Sequence, residues 1–173
     1  MRHAISVLLQ NEVGALTRMT GMFSSRGYNI ESLNVAPTQH ESVSRVTLVV
    51  SGSDAAIAQL NTQLAKLVDV VNIHDMTLGD HFERELAIIK LKLKAGGRDV
   101  VAALRDEYGA ELLDDAERSC TLQLTGRIPE IDAFVAAATK AGELSAVARS
   151  GSVAVSKGEV TLSTFDLHHR LSS

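Results

Sequence analysis

In the first 75 positions, segments with the apolar spacing of a β-strand alternate with segments that have the spacing of an α-helix, and the order of these segments limits the folds that the chain can adopt. Strand-like patterns occur at residues 3–9, 30–35, 46–50 and 68–73. One helical pattern lies between the first and second of these segments, and another lies between the third and fourth. The first helix is expected from Gly14 to Arg26, with Gly27 as its left-handed end, and Ser53 or Asp54 is expected to cap the second. The order βαββαβ predicts a ferredoxin-like split βαβ unit, with both helices on one face of an antiparallel sheet.

The second half of the chain repeats this plan. Strands are expected at residues 86–93, 111–114, 121–126 and 144–155, with helices after Gly96-Gly97 and around residues 131–138. The sequence therefore predicts an α+β protein of two ferredoxin-like βαββαβ domains in tandem, at residues 1–78 and 79–158, followed by a polar tail at 159–173.

Composition disfavours several classes of function. The net charge is −4, Trp is absent and aromatic residues make up 3% of the chain, which is unlike a protein that binds nucleic acid or an anionic membrane. No apolar run approaches the length of a membrane span, and the N-terminus lacks the apolar core of a signal peptide. A lone cysteine, Cys120, excludes an internal disulfide, and we interpret it as a buried structural thiol. We therefore expect a soluble, cytoplasmic protein.

The spacing of polar residues suggests no catalytic or metal site. None of the six histidines lies at a ligand spacing such as His-x-x-x-His. The acidic pairs Asp114-Asp115 and Glu83-x-Glu85 are interpreted as a solvated turn and a strand rim. The segment Gly96-Gly97-Arg98 has neither of the two common phosphate-loop spacings.

Asn11, Gly14 and Asn29 form the one constellation with a plausible ligand chemistry. A helix entrance offers unpaired N–H groups and a positive dipole end that can hold a carboxylate, and Gly14 lets a ligand approach the backbone. The amides of Asn11 and Asn29 can both donate and accept hydrogen bonds, as an amino acid requires. Spacing alone leaves a second interpretation open, because Asn and Gly also form ordinary turns at strand ends.

Residues 6–18 (SVLLQNEVGALTR) and 26–33 (RGYNIESL) strongly resemble the regulatory, or small, subunit of acetolactate synthase, an enzyme also called acetohydroxyacid synthase. The resemblance continues through 63–70 (QLAKLVDV), 131–134 (IDAF) and 147–151 (VARSG), and covers residues 1 to about 158. The string at 26–33 is far more specific than any single Gly or Asn.

The resemblance implies that the N-terminal half is an ACT domain, a module that senses small molecules, and that the C-terminal half is the second ferredoxin-like domain of the family. It implies that the chain has no active site or cofactor of its own. The chain would form a homodimer through its ACT domains and bind a separate catalytic subunit, which uses thiamine diphosphate, Mg²⁺ and FAD.

The same resemblance implies that the chain activates the catalytic subunit and makes it sensitive to feedback inhibition in branched-chain amino-acid biosynthesis. The effector would be valine or a related amino acid, bound between the ACT domains of two small subunits. The matching positions are Asn11, Gly14, Ala15, Leu16, Asn29 and Ile30. The alternative is a free-standing ACT-type sensor that acts on another enzyme or on transcription.

Overall fold

The computed structural model describes residues 1–159 and 161–163, so most of the predicted tail at 159–173 lies outside the described residues. Contacts group the chain into two compact units. The first unit contains Met1–Phe82 and the described residues from Ser152 onward, and the second contains Glu83–Gly151.

The first unit has the predicted βαββαβ order. Its elements are β1 (Arg2–Gln10), α1 (Ala15–Ser25), β2 (Ile30–Pro37), β3 (Val43–Ser51), α2 (Asp54–Leu64) and β4 (Val70–Asp75). The sheet order is β2-β3-β1-β4 and every pairing is antiparallel, so β2 and β4 are the edge strands. The predicted α+β fold is confirmed for this unit.

One face of this sheet packs against both helices. Alternate residues of β1 and β3 point to this face, and they meet Met19 and Phe23 of α1 and Leu60 of α2, all of which are at most 1% exposed. The opposite face of β1 is also buried, because Ala4 packs with Met76 and Ala154. In α1, the buried residue of the first turn is Ala15, whereas the next residue, Leu16, is 37% exposed.

The predicted helix stop at Gly27 is confirmed. Gly27 has a φ of +71°, and its N–H donates to the carbonyl of Ser24 at 3.2 Å. The N–H of Tyr28 donates to the carbonyl of Phe23 at 3.0 Å, which completes a Schellman motif. Likewise, Ser53 caps α2, because its hydroxyl accepts a hydrogen bond from the N–H of Ala56 at 3.3 Å.

The second unit repeats the plan. Its elements are β5 (His81–Leu93), α3 (Gly97–Tyr108), β6 (Glu111–Ala116), β7 (Ser119–Gly126), α4 (Ile128–Ala138) and β8 (Gly142–Arg149), and β5 begins just inside the first unit. The sheet order is β6-β7-β5-β8, again antiparallel, and a further short strand, β9 (Val153–Ser156), belongs to the first unit. The core centres on Ile89, Leu122 and Phe134, each fully buried.

Three strand predictions need correction. The strand expected at 144–155 is two strands, because Gly151 at a φ of +73° breaks the extended backbone between β8 and β9. The strand expected at 68–73 is shifted to Val70–Asp75, since Val68 is 83% exposed in the preceding turn. β5 begins at His81 rather than at residue 86, because partly exposed polar residues at its start follow the same alternation as its core.

Candidate functional site

The N-terminus of α1 is an open, positively polarised helix end. Gly14 is the N-cap residue, with a left-handed φ of +88° and no side chain to cap the helix. The first intrahelical bond runs from the N–H of Arg18 to the carbonyl of Gly14 at 2.9 Å, and the N–H of Ala15 bonds to the carbonyl of Glu12. The amides of Leu16 and Thr17 therefore have no carbonyl within the helix. The first turn also carries no acidic residue, so nothing in it offsets the dipole.

The guanidinium of Arg18 lies directly against Gly14. A Cβ atom added to Gly14 would lie 2.7 Å from Arg18 Nη1, which is closer than van der Waals contact. The arginine is held there by Asp69, whose Oδ2 accepts from Nε and whose Oδ1 accepts from Nη2, each at 2.6 Å. Such a two-pronged pair fixes both the position and the plane of the guanidinium. Nη1 is left pointing toward the glycine turn.

The two partners stabilise each other's charged forms. The hydrogen bonds from Arg18 hold the pKa of the Asp69 carboxyl below its usual range, and the hydrogen bond to Asp69 raises the pKa of Arg18. The Asp69 side chain is 5% exposed, whereas that of Arg18 is 50% exposed. The arrangement therefore places a permanently charged, partly accessible guanidinium at the N-terminus of α1, where it is paired with Asp69 and also interacts with the charge of Glu12.

Asn11 lies in the same loop, between β1 and α1. Its Nδ2 donates to the carbonyl of Glu41 at 2.9 Å, and its backbone N–H donates to the carbonyl of Ser42 at 2.8 Å. These contacts fasten the loop to the β2–β3 hairpin. They also leave Oδ1 of Asn11 without a partner among the described residues, so this oxygen can accept a hydrogen bond from an ammonium group.

Asn29 and Ile30 lie at the opposite end of the same sheet. Ile30 pairs with Val50, and Val50 pairs with His3 at the start of β1, whereas Asn11 follows Gln10 at its end. From His3 to Gln10 a strand advances about 23 Å, at about 3.3 Å per residue. The structure therefore brings together Asn11, Gly14, Ala15 and Leu16, and it does not bring Asn29 or Ile30 to them within one chain.

Sequence reasoning missed Arg18 and Asp69 as members of this site. Arg18 carries a detectable signal, because it follows Gly14 by four residues and so lies on the same side of the first helical turn. Asp69 carries no such signal in the sequence, because it is 51 residues away from Arg18 along the chain and only the folded sheet brings the two together. Asp69 was also expected inside a strand, whereas it precedes β4 and its carbonyl accepts from the N–H of Gln10.

Profiles of two families match the chain. The profile of the acetohydroxyacid synthase (AHAS) small subunit-like ACT domain matches residues 5–72, and the profile of the small subunit of acetolactate synthase matches residues 84–158. The first match includes Asn11, Gly14, Arg18 and Asp69. Together the two matches cover most of the sequence.

The chain belongs to the acetolactate synthase small-subunit family. It is 42% identical over 159 residues to the acetolactate synthase isozyme 3 small subunit of Escherichia coli, covering 92% of this chain and 98% of that protein. It is 41% identical to the acetolactate synthase small subunit of Haemophilus influenzae, with the same coverage. The crystal structure of the acetolactate synthase small subunit from Thermotoga maritima superposes with a TM-score of 0.81 at 27% identity, and it covers 92% of this chain and 99% of that one.

As a small subunit, the chain has a regulatory role, and its first unit has the fold of the family's ACT domain. Within the described residues, no group of three or more His, Cys, Asp or Glu side chains is placed to hold a metal ion. No helix in the same part of the chain is long and apolar enough to cross a bilayer. Cys120 is buried, and desolvation by burial raises the pKa of its thiol, which favours the unreactive protonated form.

Proposed function

We propose that this chain activates the catalytic subunit of acetolactate synthase and makes it sensitive to feedback inhibition by valine. The catalytic subunit supplies the thiamine diphosphate, Mg²⁺ and FAD. This chain supplies the binding site for the effector and no catalytic group. Valine bound to the cytoplasmic complex shifts it toward a less active state, which requires different affinities for the two states.

The observation that carries this proposal is the contact between Arg18 and the Gly14 turn. The carboxylate of an amino acid placed over Gly14 meets Nη1 of Arg18 and the amides of Leu16 and Thr17. Oδ1 of Asn11 is available for the ammonium group. Leu16 is 37% exposed and Val13 is fully exposed, so apolar surface for an aliphatic side chain lies beside these polar groups. This combination favours a branched-chain amino acid over a charged one.

A second copy of the chain completes the site. β2 is an edge strand, and its outer row of N–H and C=O groups is available to pair with another strand. If two β2 strands pair antiparallel about a two-fold axis, Ile30 of one copy comes level with Pro37 of the other. Asn29 of one copy then reaches the end of the sheet where the partner carries its own Asn11 and Gly14. We therefore propose a homodimer through the ACT domains with two equivalent effector sites.

The direct test combines the purified chain with its catalytic subunit and measures acetolactate formation from pyruvate. The chain is expected to raise the turnover rate, and valine is expected to return the rate toward that of the catalytic subunit alone. Leucine and isoleucine, added at the same concentrations, establish which branched-chain amino acid binds best. The catalytic subunit alone, with and without valine, is the control.

Two results would contradict the proposal. If the chain neither raises the rate nor confers inhibition, the alternative of a free-standing amino-acid sensor takes its place, and affinity capture from lysate would then recover a partner without thiamine diphosphate. If activation occurs but none of the three amino acids inhibits, the regulatory role stands and the proposed effector site is wrong.

A further inference from the structure

Arg45 is the third residue of β3, close to the β2–β3 hairpin, and the other residues of this strand are uncharged. Its register neighbours are Leu8 on β1 and Ala36 on β2. The adjacent Val46 points into the core beneath the helices, so alternation places Arg45 on the opposite face of the sheet. Arg45 is half-buried, which is unusual for an arginine that has no acidic partner.

The charge of Arg45 is not neutralised by any carboxylate in the described part of the chain. Several other arginines of the described residues do form ion pairs, which are Arg2–Glu31, Arg18–Asp69, Arg98–Asp115, Arg127–Glu130 and Arg149–Glu85. Arg45 instead donates one hydrogen bond, from Nη1 to the hydroxyl of the buried Ser6 at 3.1 Å. A guanidinium carries five N–H donors, so most of its donor capacity remains available. Desolvation lowers the pKa of Arg45, and no opposing charge offsets it.

Two adjoining cavities are lined in part by Arg45. The larger has a volume of about 270 Å³, and its wall includes Leu8, Thr38, Gln39, His40 and the chain at 161–163. The smaller, of about 180 Å³, shares Thr38, Gln39 and Arg45 with the first and continues toward Thr47. Polar groups of the β2–β3 hairpin therefore surround space that is directly accessible from Arg45.

We propose that the space formed by these two adjoining cavities binds a small anion through its carboxylate or phosphate oxygens, with Arg45 as the principal contact. A guanidinium that lacks an anionic partner gains more from a bound oxyanion at a half-buried position than it would at the surface, because water screens the interaction less. The flat fork of the side chain matches two oxygens of one carboxylate or phosphate. The cavity volume suits a ligand of a few heavy atoms.

This anion site is separate from the effector site at Gly14. Arg18 and the α1 N-terminus belong to the helix-covered side of the sheet, whereas Arg45 lies on the other side. A purely structural role makes a different prediction. In that case the aliphatic stem of Arg45 covers Leu8 and Ala36 while its charge is hydrated, and no saturable anion binding follows.

The experiment titrates the full chain with sodium phosphate and, separately, with sodium acetate, replacing sodium chloride at constant ionic strength. The readouts are the ¹⁵N-resolved NMR signals of the Arg45 side-chain Nε–H and of the backbone amides at residues 38–40. Saturable shifts at these positions are expected with at least one anion, and comparing the two anions distinguishes a phosphate site from a carboxylate site. Linear shifts that never saturate, or no shifts, would overturn the proposal.

Variants identify the side chain responsible. Arg45→Gln is expected to weaken the anion response by about tenfold or more, and Arg45→Lys by less, since it keeps the charge but loses the fork. The matched control is Arg26→Gln, which removes an exposed arginine bonded to Gln63 and should bind like the natural chain. An undiminished response in folded Arg45→Gln would refute the assignment. If circular dichroism reports that Arg45→Gln is unfolded, the titration of the natural chain decides the question.

Discussion

Arg18 and Asp69 are joined by two hydrogen bonds of 2.6 Å each, and this pair holds a guanidinium against the backbone of Gly14. The two residues come from α1 and from the turn before β4, so the sheet between them sets their separation. The position of the cation at the helix end therefore depends on a correctly folded first unit. The following predictions test this arrangement and the site proposed around it.

Gly14→Asp is expected to relieve inhibition by valine while most of the activation remains. The new carboxylate lies where that of the effector is proposed to lie, and it competes for Nη1 of Arg18. The valine concentration for half-inhibition should rise by about tenfold or more, as for the loss of one charge-assisted contact. Acetolactate assays of the complex across a valine titration provide the measurement.

The matched control for this change is Gly96→Asp. Gly96 is also an N-cap glycine with a left-handed φ, of +74°, and a Cβ added there would meet no atom within 4 Å. The two variants therefore share a backbone strain of about 1–2 kcal/mol. Equal loss of valine sensitivity in both would indicate general destabilisation rather than a carboxylate contact at Gly14.

Asp69→Asn should weaken the response to valine without abolishing activation, because Arg18 loses the carboxylate that fixes its position. Asp132→Asn is the control, since it removes a carboxylate paired with Arg149 in the second unit. Half-inhibition should require several-fold more valine in Asp69→Asn and an unchanged concentration in Asp132→Asn. An unaltered valine titration for Asp69→Asn would show that the pair does not serve the site.

The Arg18–Asp69 pair should also give the first unit a defined dependence of stability on pH. The pKa of Asp69 is lower in the folded than in the unfolded chain, so the pair stabilises the fold above the unfolded value of about 3.9. That stabilisation is lost as the pH falls through the folded pKa. In urea unfolding near pH 7, the natural chain should therefore have a higher free energy of unfolding than Asp69→Asn. This difference in free energy should shrink below about pH 4. A difference that grows on acidification would contradict this assignment.

Complementation between two defective chains tests whether the effector site lies between subunits. Asn11→Ala and Asn29→Ala homodimers should each lose valine sensitivity. In a mixed dimer, one site carries both substitutions and the other carries neither, so valine sensitivity should be partly restored. The two chains are co-expressed with different tags, the mixed dimer is isolated and its complex with the catalytic subunit is assayed. No restoration would be expected if Asn11 and Asn29 acted within one chain.

Phe134→Ala is expected to destabilise the second unit by about 3–5 kcal/mol. Phe134 is fully buried on α4, and its ring centroid lies 5.7 Å from that of Tyr108 on α3. Leu113→Ala is the control, because Leu113 is 46% exposed and its truncation should cost little. Urea unfolding followed by the NMR signals of Tyr108 measures both, and similar midpoints for the two variants would be inconsistent with the core described here.

Local patterns in the sequence predicted most of the fold and, of the candidate site, the helix entrance but not the Arg18–Asp69 pair. The spacing of apolar residues gave both βαββαβ units, and Gly27 and Ser53 marked helix ends, because helix periodicity and capping depend on residues within one or two turns. The helix entrance at Asn11 and Gly14 was predicted for the same reason. The single strand predicted at 144–155 was wrong because the left-handed backbone at Gly151 divides it, and a glycine within an extended pattern does not by itself mark such a break.

By itself, the sequence determined the family, the two repeated folding units and an open helix end at Gly14. The tertiary structure decided which distant groups meet there. It joined Arg18 to Asp69, separated Asn29 from Asn11 by the length of the sheet, and left Arg45 facing a cavity without a carboxylate. The physical reason is that strand order and register are set by contacts between residues far apart in the chain, and no local spacing encodes which side chains these contacts bring together.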